Sequence, residues 1–267
     1  MTSRSILVAA VAGALLSPPA FANSRLEETV VTSSRVAMPL RQVGTSVSVV
    51  TAEDIQARGF NSLVDVLRNQ PAVGVTSAGG AGKLTNLRIR GEEGYRTLVL
   101  VDGINISDTA SPQYSPRMEH LLSSGIDRVE ILRGPQGLMY GADAGGVVNI
   151  TSTPPVNGIG GDVSAEAGRY GSQQFAANLG LGSESFDGNI NVTDFETDGF
   201  NARSTDRSPR DDDGYANTTV HGRLGWNVTE AFRLQLVGRD VRGDNDYDGC
   251  GFPATNRCSC LLYTSPS

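Results

Sequence analysis

Histidine is nearly missing from this chain, with two in 267 residues, and tryptophan occurs once. His120 and His221 fall in different zones and no Gly-x-Ser-x-Gly elbow is present, so the sequence offers little for serine or metal hydrolysis. No phosphate-binding Gly-Lys motif occurs, which removes a P-loop nucleotide site. Beyond Ile6 to Leu16, no stretch approaches the roughly 18 apolar residues of a transmembrane helix. Excess positive charge is lacking too: the formal charge of −7 argues against a nucleic-acid partner, whose phosphates attract basic surfaces. Cysteine is confined to Cys250, Cys258 and Cys260 near the end, with no histidine nearby to suggest a metal site. No enzymatic activity is expected. What the chain has in quantity is glycine, 32 residues, in short alternating segments that suit β-rich structure.

The first 22 residues read as a cleaved export signal. Arg4 precedes the apolar run Ile6 to Leu16, Pro18 and Pro19 break it, and Ala20-Phe21-Ala22 supplies a small-x-small cleavage pattern. Residues 23–44 are polar and without helical periodicity, apart from the β-prone Glu27 to Thr32. Residues 45–155 show a mixed α+β pattern. Ser46 to Thr51 reads as a strand, and Thr51-Ala52-Glu53-Asp54 as the cap and acidic first turn of a helix. Asn61 to Asn69 is a second helix with Leu63, Val64, Val66 and Leu67 on one face, stopped by Pro71. Short strands follow at Val73 to Thr76, Leu84 to Arg90, Leu98 to Val101, Val129 to Leu132 and Val147 to Ser152.

From residue 156 to 249 the period changes to two. Apolar side chains alternate with polar ones through segments centred on Val163, Leu179, Ile190, Leu224 and Leu234, about five strands with one apolar face. A soluble sandwich alternates in the same way. Connection lengths favour a transmembrane barrel: Ser183 to Ser185 and Asn227 to Ala231 are short, while Glu196 to Thr218 is long and polar, as where periplasmic turns alternate with outer loops. Outer-membrane lipid is then the surroundings of the apolar face. The competing class is a secreted or surface β-rich binding or adhesion protein.

Four motifs occur in order: Leu87-Arg88-Ile89-Arg90-Gly91; Leu98-Val99-Leu100-Val101-Asp102-Gly103-Ile104; Ile126-Asp127-Arg128-Val129-Glu130-Ile131-Leu132-Arg133-Gly134-Pro135; and Tyr140-Gly141-Ala142 with Gly145-Gly146-Val147-Val148-Asn149-Ile150. Together they resemble the plug-domain signatures of TonB-dependent outer-membrane receptors, with the cobalamin-receptor-like members as the nearest subgroup. One residue fewer than the family usually has separates Ala144 from Gly145. The resemblance implies an α+β plug followed by antiparallel transmembrane β-barrel strands, about five of roughly 22. It also implies a location in the bacterial outer membrane and active transport of a scarce bulky nutrient, a cobalamin or related corrinoid, or an iron–siderophore metal chelate.

The resemblance carries roles as well. Glu28, Thr29, Val30, Val31 and Thr32 match the TonB box, a mobile segment able to add a strand to TonB, which is coupled to the inner-membrane energising complex. Gly80, Lys83, Glu92 and Tyr95 are expected at the substrate-facing plug apex. Arg88, Arg90, Arg128, Glu130 and Arg133 are expected to place mixed charge where a plug meets a polar lumen. Asp211 and Asp213 before the fourth strand, and Asp248 after the fifth, should meet at one mouth of the barrel. They resemble calcium-ordered loops of the cobalamin receptor, so calcium is a candidate cofactor and no other is required. Export permits a loop disulfide between Cys250 and Cys258. Residues 250–267 read as a truncated loop whose last residues resemble non-native read-through, so a longer chain is expected downstream.

Overall fold

The computed structural model describes residues 29–30, 38–39, 44, 46–110, 113–134, 140, 145–201, 212–251 and 259–265. Strands β1 (Thr29–Val30) and β2 (Met38–Pro39) pair with each other ahead of the first body, an α/β unit. Strand β3 (Ser46–Thr51) runs directly into helix α1 (Ala52–Arg58). Thr51 closes a reciprocal cap: its hydroxyl accepts from the Asp54 N–H and its own N–H donates to the Asp54 carboxylate, both at 3.3 Å. Gly59 ends the helix in the left-handed region. Helix α2 (Leu63–Arg68) is shorter than the expected Asn61 to Asn69, because Ser62 is itself the N-cap and Asn69 the C-cap.

Strands β4 (Val73–Ser77) and β5 (Thr85–Ile89) form a separate hairpin. The main sheet takes β6 (Thr97–Val101), β7 (Ile104–Asn105), β8 (Ile126–Arg133) and β9 (Gly146–Ser152) in the order β3-β8-β9-β6-β7. Among the described strands only β6 and β9 pair in parallel. Helix α2 buries Leu63, Val66 and Leu67 in the same core as Val99, Val129, Ile131, Val148 and Ile150. Each such side chain contributes about 1.5–3 kcal/mol when fully withdrawn from water.

The second body is a single antiparallel sheet in strict sequence order: β10 (Gly158–Ala167), β11 (Gln173–Gly182), β12 (Phe186–Thr197), β13 (Tyr215–Thr229), β14 (Phe232–Gly251) and β15 (Ser259–Ser265). The alternation sorts its faces. Ile190, Leu224, Trp226, Leu234 and Leu236 are exposed on one side, whereas Asn189, Asn191, Thr193, Asn217, Thr219 and His221 are buried on the other against the α/β unit. No second sheet covers the apolar face among the described residues.

The five expected strands are present as β10 to β14, β15 adds a sixth, and the ladder is open among the described residues. One expected strand end moves: Asp248 does not follow the fifth strand but lies within β14, together with Asp244 and Asp246, and β14 extends to Gly251. The cause is pairing: Tyr215 partners Asn245, and β15 takes over as partner from Asn245 to Gly251. A backbone that keeps finding ladder partners has no reason to turn.

Candidate functional site

The seam where the α/β unit meets the polar face of the wall sheet collects the chemistry. At the long-loop end of the wall, the turn between β4 and β5 reaches across. Gly82 has φ +70, and a Cβ there would overlap the Tyr215 ring, so only glycine lets the turn come this close. Its carbonyl accepts from the Asn245 side chain. Gly80 packs 3.4 Å from Phe200, measured to an added Cβ. Lys83 is buried rather than presented to solvent: its ammonium donates to the Asp246 carbonyl and lies 3.5 Å from Asp213.

One turn further into the seam, His120 meets Tyr215 at 2.9 Å, and Asn217 donates to the same hydroxyl at 2.7 Å. Burial holds the His120 imidazole below its ordinary pKa. The ring is therefore neutral at neutral pH, and the Tyr215 hydroxyl, already accepting from Asn217, donates to Nδ1. Leu122, Phe195 and Tyr215 form a small apolar cluster beside it. A cavity of about 460 Å³ opens here, between Phe60, Ser62, Gly80, Glu119, Phe200 and Tyr215. Its size and mixed lining suit a small-molecule group rather than bulk water alone.

The expected apex residues divide. Gly80 and Lys83 sit at this seam, while Glu92 and Tyr95 lie on the following loop, where Glu92 pairs with Arg96 at 3.4 Å and Tyr95 is 40% exposed. The expected charge cluster divides as well. Arg88 pairs with Glu93 at the surface. Arg128 lies 3.1 Å from the fully buried Glu130. Arg133 is fixed elsewhere, donating to the Pro71 carbonyl at 2.7 Å and to Ser46 and Ser48, with Arg90 near Gly134. Burial, with Arg90 close by, pulls the Arg133 pKa down.

Of the segment expected to engage TonB, Thr29 and Val30 pair in register with Pro39 and Met38; Glu28, Val31 and Thr32 lie outside the described residues. Asp211 and Cys258 also lie outside them, and for Asp248 and Cys250 only the backbone is described. The strand register sets Cys260, not Cys258, opposite Cys250. Sequence reading passed over Asp102 and His221, which meet at 2.7 Å in mid-seam. The available signal was a histidine on the polar face of a strand whose other face is apolar.

The two acidic segments do converge: Asp246 donates its N–H to Gly214 at 3.0 Å, and both Asp213 and Asp246 reach Lys83. Lys83 thus supplies a cation to the very carboxylate expected to hold calcium. Were Asp213 a calcium ligand, calcium titrated into the complete protein should bind at least about tenfold tighter after Lys83→Met, since one fewer positive charge would then oppose a hard-oxygen site. Equal affinities in calorimetry would show that Asp213 takes no part in calcium binding.

Residues 39–148 match the family model described as the TonB-dependent receptor plug domain. The vitamin B12 transporter BtuB of Photobacterium profundum is 34% identical over 251 residues, covering 92% of this chain and 40% of the relative. The vitamin B12 transporter BtuB of Vibrio vulnificus is 29% identical over 250 residues, covering 91% and 40%. The chain thus spans about 40% of the length of the curated relatives it matches. Among solved structures, P. aeruginosa FpvA bound to a heterologous pyoverdine superposes with a TM-score of 0.67 at 24% identity, over 82% of this chain and 27% of that one. The siderophore receptor PirA from Acinetobacter baumannii gives 0.60 at 25% identity, over 75% and 32%. The family match across the α/β unit, beside relatives aligned across nine-tenths of the chain, leads to one assignment: residues 39–148 form a plug domain of the TonB-dependent receptor family.

Proposed function

We propose that this chain forms the plug and first wall strands of a transporter that draws a scarce, bulky nutrient across the bacterial outer membrane. The observation that carries the reading is the seating of a separately cored α/β unit on the polar face of strands whose other face is apolar. A wall of that kind belongs between lipid and an aqueous lumen. In that frame the long connection after β12 faces outward, and the turns after β11 and β13 face the periplasm. The seam holding Gly80, Lys83 and Tyr215 is then the outer end of the plug, where a ligand arrives. Residues 1–22 serve as the export signal.

Cobalamin or a related corrinoid is the first substrate, supported by the B12-transporter names of the two relatives. An iron–siderophore complex is second. The structural neighbours bear on fold alone at their identities. Energy enters through Glu28 to Thr32, which pairs by strand addition with TonB. The β1–β2 ladder supports this pairing, because Thr29 and Val30 already adopt the extended form.

Deleting Glu27 to Thr32 from the complete receptor should abolish cyanocobalamin uptake by cells while surface binding of the same ligand persists. Undiminished uptake would end the energised-transport reading and leave a binding or adhesion protein in its place.

A further inference from the structure

Asp102 sits in the two-residue Asp-Gly turn between β6 and β7 with φ 47, the left-handed conformation that such a hairpin turn requires and that aspartate tolerates. Its N–H donates to the Ile150 carbonyl at 2.9 Å. Its carboxylate, 2% exposed, then receives three donors: the Ser152 N–H at 3.0 Å, the Ser152 hydroxyl at 2.6 Å and His221 Nε2 at 2.7 Å. The first two come from the plug strand β9; the third comes from wall strand β13. Arg223, two residues along the same face of β13, stands 4.0 Å from the other carboxylate oxygen. Arg239 of β14 is the cross-strand partner of His221 and lies in electrostatic reach of Asp102.

Serine, histidine and aspartate in contact invite a hydrolytic interpretation, and the geometry rejects it. In a nucleophilic triad the histidine stands between serine and aspartate. Here the aspartate is central, and the serine hydroxyl is spent on the carboxylate instead of on the imidazole. The arrangement is a clamp. One plug anion is gripped by a wall histidine and two wall arginines, in a seam too tight for bulk solvent. His221 Nδ1 has no protein partner among the described residues and borders a cavity of about 20 Å³, room for one water.

Position matters as much as chemistry. Other polar links across the seam, among them Lys83 to Asp213, Asn245 to Gly82 and His120 to Tyr215, cluster at the long-loop end. Asp102 engages half-way down the wall, at the level where His221 pairs with Asn191 and Arg239. A pull on the N-terminal segment has to break this contact before β6 and β9 can leave the wall.

We propose that Asp102, gripped by His221 with Arg223 and Arg239 behind it, is the bolt that seats the plug, and that its release is a required step in opening. Asp102 acts here as a positioning residue, not as a ligand for the cargo. The idea rests on the transport reading, since it assumes a plug that is pulled, but seating itself can be measured without transport.

The pH dependence follows with a definite sign. Burial works to raise the Asp102 pKa, but the hydrogen bonds from His221 and Ser152 outweigh it and hold the carboxyl below its ordinary value of 3.8. A lowered folded-state value means that the seating is complete above that ordinary value and is lost only as the solution falls through the depressed one. His221 and Arg223 of β13, Arg239 of β14 and Ser152 of β9 are the groups that face it.

The test uses the complete receptor in liposomes, with urea releasing the plug and ion conductance reporting the opened lumen. Asp102→Asn should raise the release rate about a hundredfold, as expected when a buried pair loses one charge. His221→Gln, which alters only the wall and leaves plug folding alone, should act in the same direction. The double variant should release no faster than the quicker single variant, because both remove one bond. Cyanocobalamin affinity should hold in all three. Release rates equal to wild type, or single effects that simply multiply in the double variant, would overturn the bolt. If release changes as stated while deletion of Glu27 to Thr32 spares uptake, the bolt stands and the transport reading fails.

Discussion

Leu224→Arg should cost the complete receptor about 2–4 kcal/mol of stability in a bilayer, while Gln235→Arg, on the neighbouring strand, should cost a small fraction of that. The contrast follows from which way the two positions face. Leu224 is 57% exposed and sits across the ladder from Gly188 and Leu236, all on the apolar side. It lies near the middle of a band along β13 from Val220 to Val228, about 27 Å of strand, which tilts to span a bilayer core. Guanidinium at that depth loses its hydration with no partner to replace it. Gln235 pairs with Gly225, on the polar face, and is exposed, so a charge there meets water. Above the band the outward positions turn polar, with Asp194 accepting from Thr218 at 2.7 Å. On the transporter reading proposed above, the strands rise past the lipid on the long-loop side. Urea midpoints of receptor folded into vesicles check the pair, and equal costs would mean that the sheet does not face lipid.

Much of this was legible in the sequence because the signals were local. Thr51 and Asp54 announced a helix start, and the reciprocal cap forms between those two residues, each side chain accepting from the other's backbone N–H. The alternation from Val163 to Leu236 fixed both faces of the wall, since a period of two sends neighbouring side chains to opposite sides. Strand ends were less legible. Asp244 to Asp248 look like loop residues by composition, yet ladder partners from β13 and β15 hold them in β14. Least legible were contacts between distant segments. Nothing local to Lys83 says that it will be buried against Asp213, and nothing in a Val-Asp-Gly turn says that its aspartate will meet a histidine 119 residues on. The five charged residues expected to act together illustrate the same limit. Their spacing along β5 and β8 was plain, but strand pairing sent Arg88 to solvent, Arg128 to Glu130, and Arg133 to the serines of β3.

That dispersal predicts very different costs for residues of one motif. Glu130 has no exposed surface and lies between β3 and β9, opposite Val49 and Asn149. Glu130→Leu fills the space but takes away the carboxylate against which Arg128 is set. Removing one member of a buried pair costs about 3–5 kcal/mol, and the 22% exposure of Arg128, through which water can temper the loss, sets this case at the lower end. Replacing both, Glu130→Leu with Arg128→Met, should recover most of the loss, since two apolar side chains leave no charge stranded. By contrast Arg88→Ala breaks a pair in which both side chains are about half exposed and should shift stability by less than about 1 kcal/mol. Protease sensitivity of the plug in the complete receptor, read against urea, ranks the three. A double variant as unstable as Glu130→Leu alone would mean that the carboxylate serves partners other than Arg128, and that the buried acid is part of a wider polar network through the plug sheet.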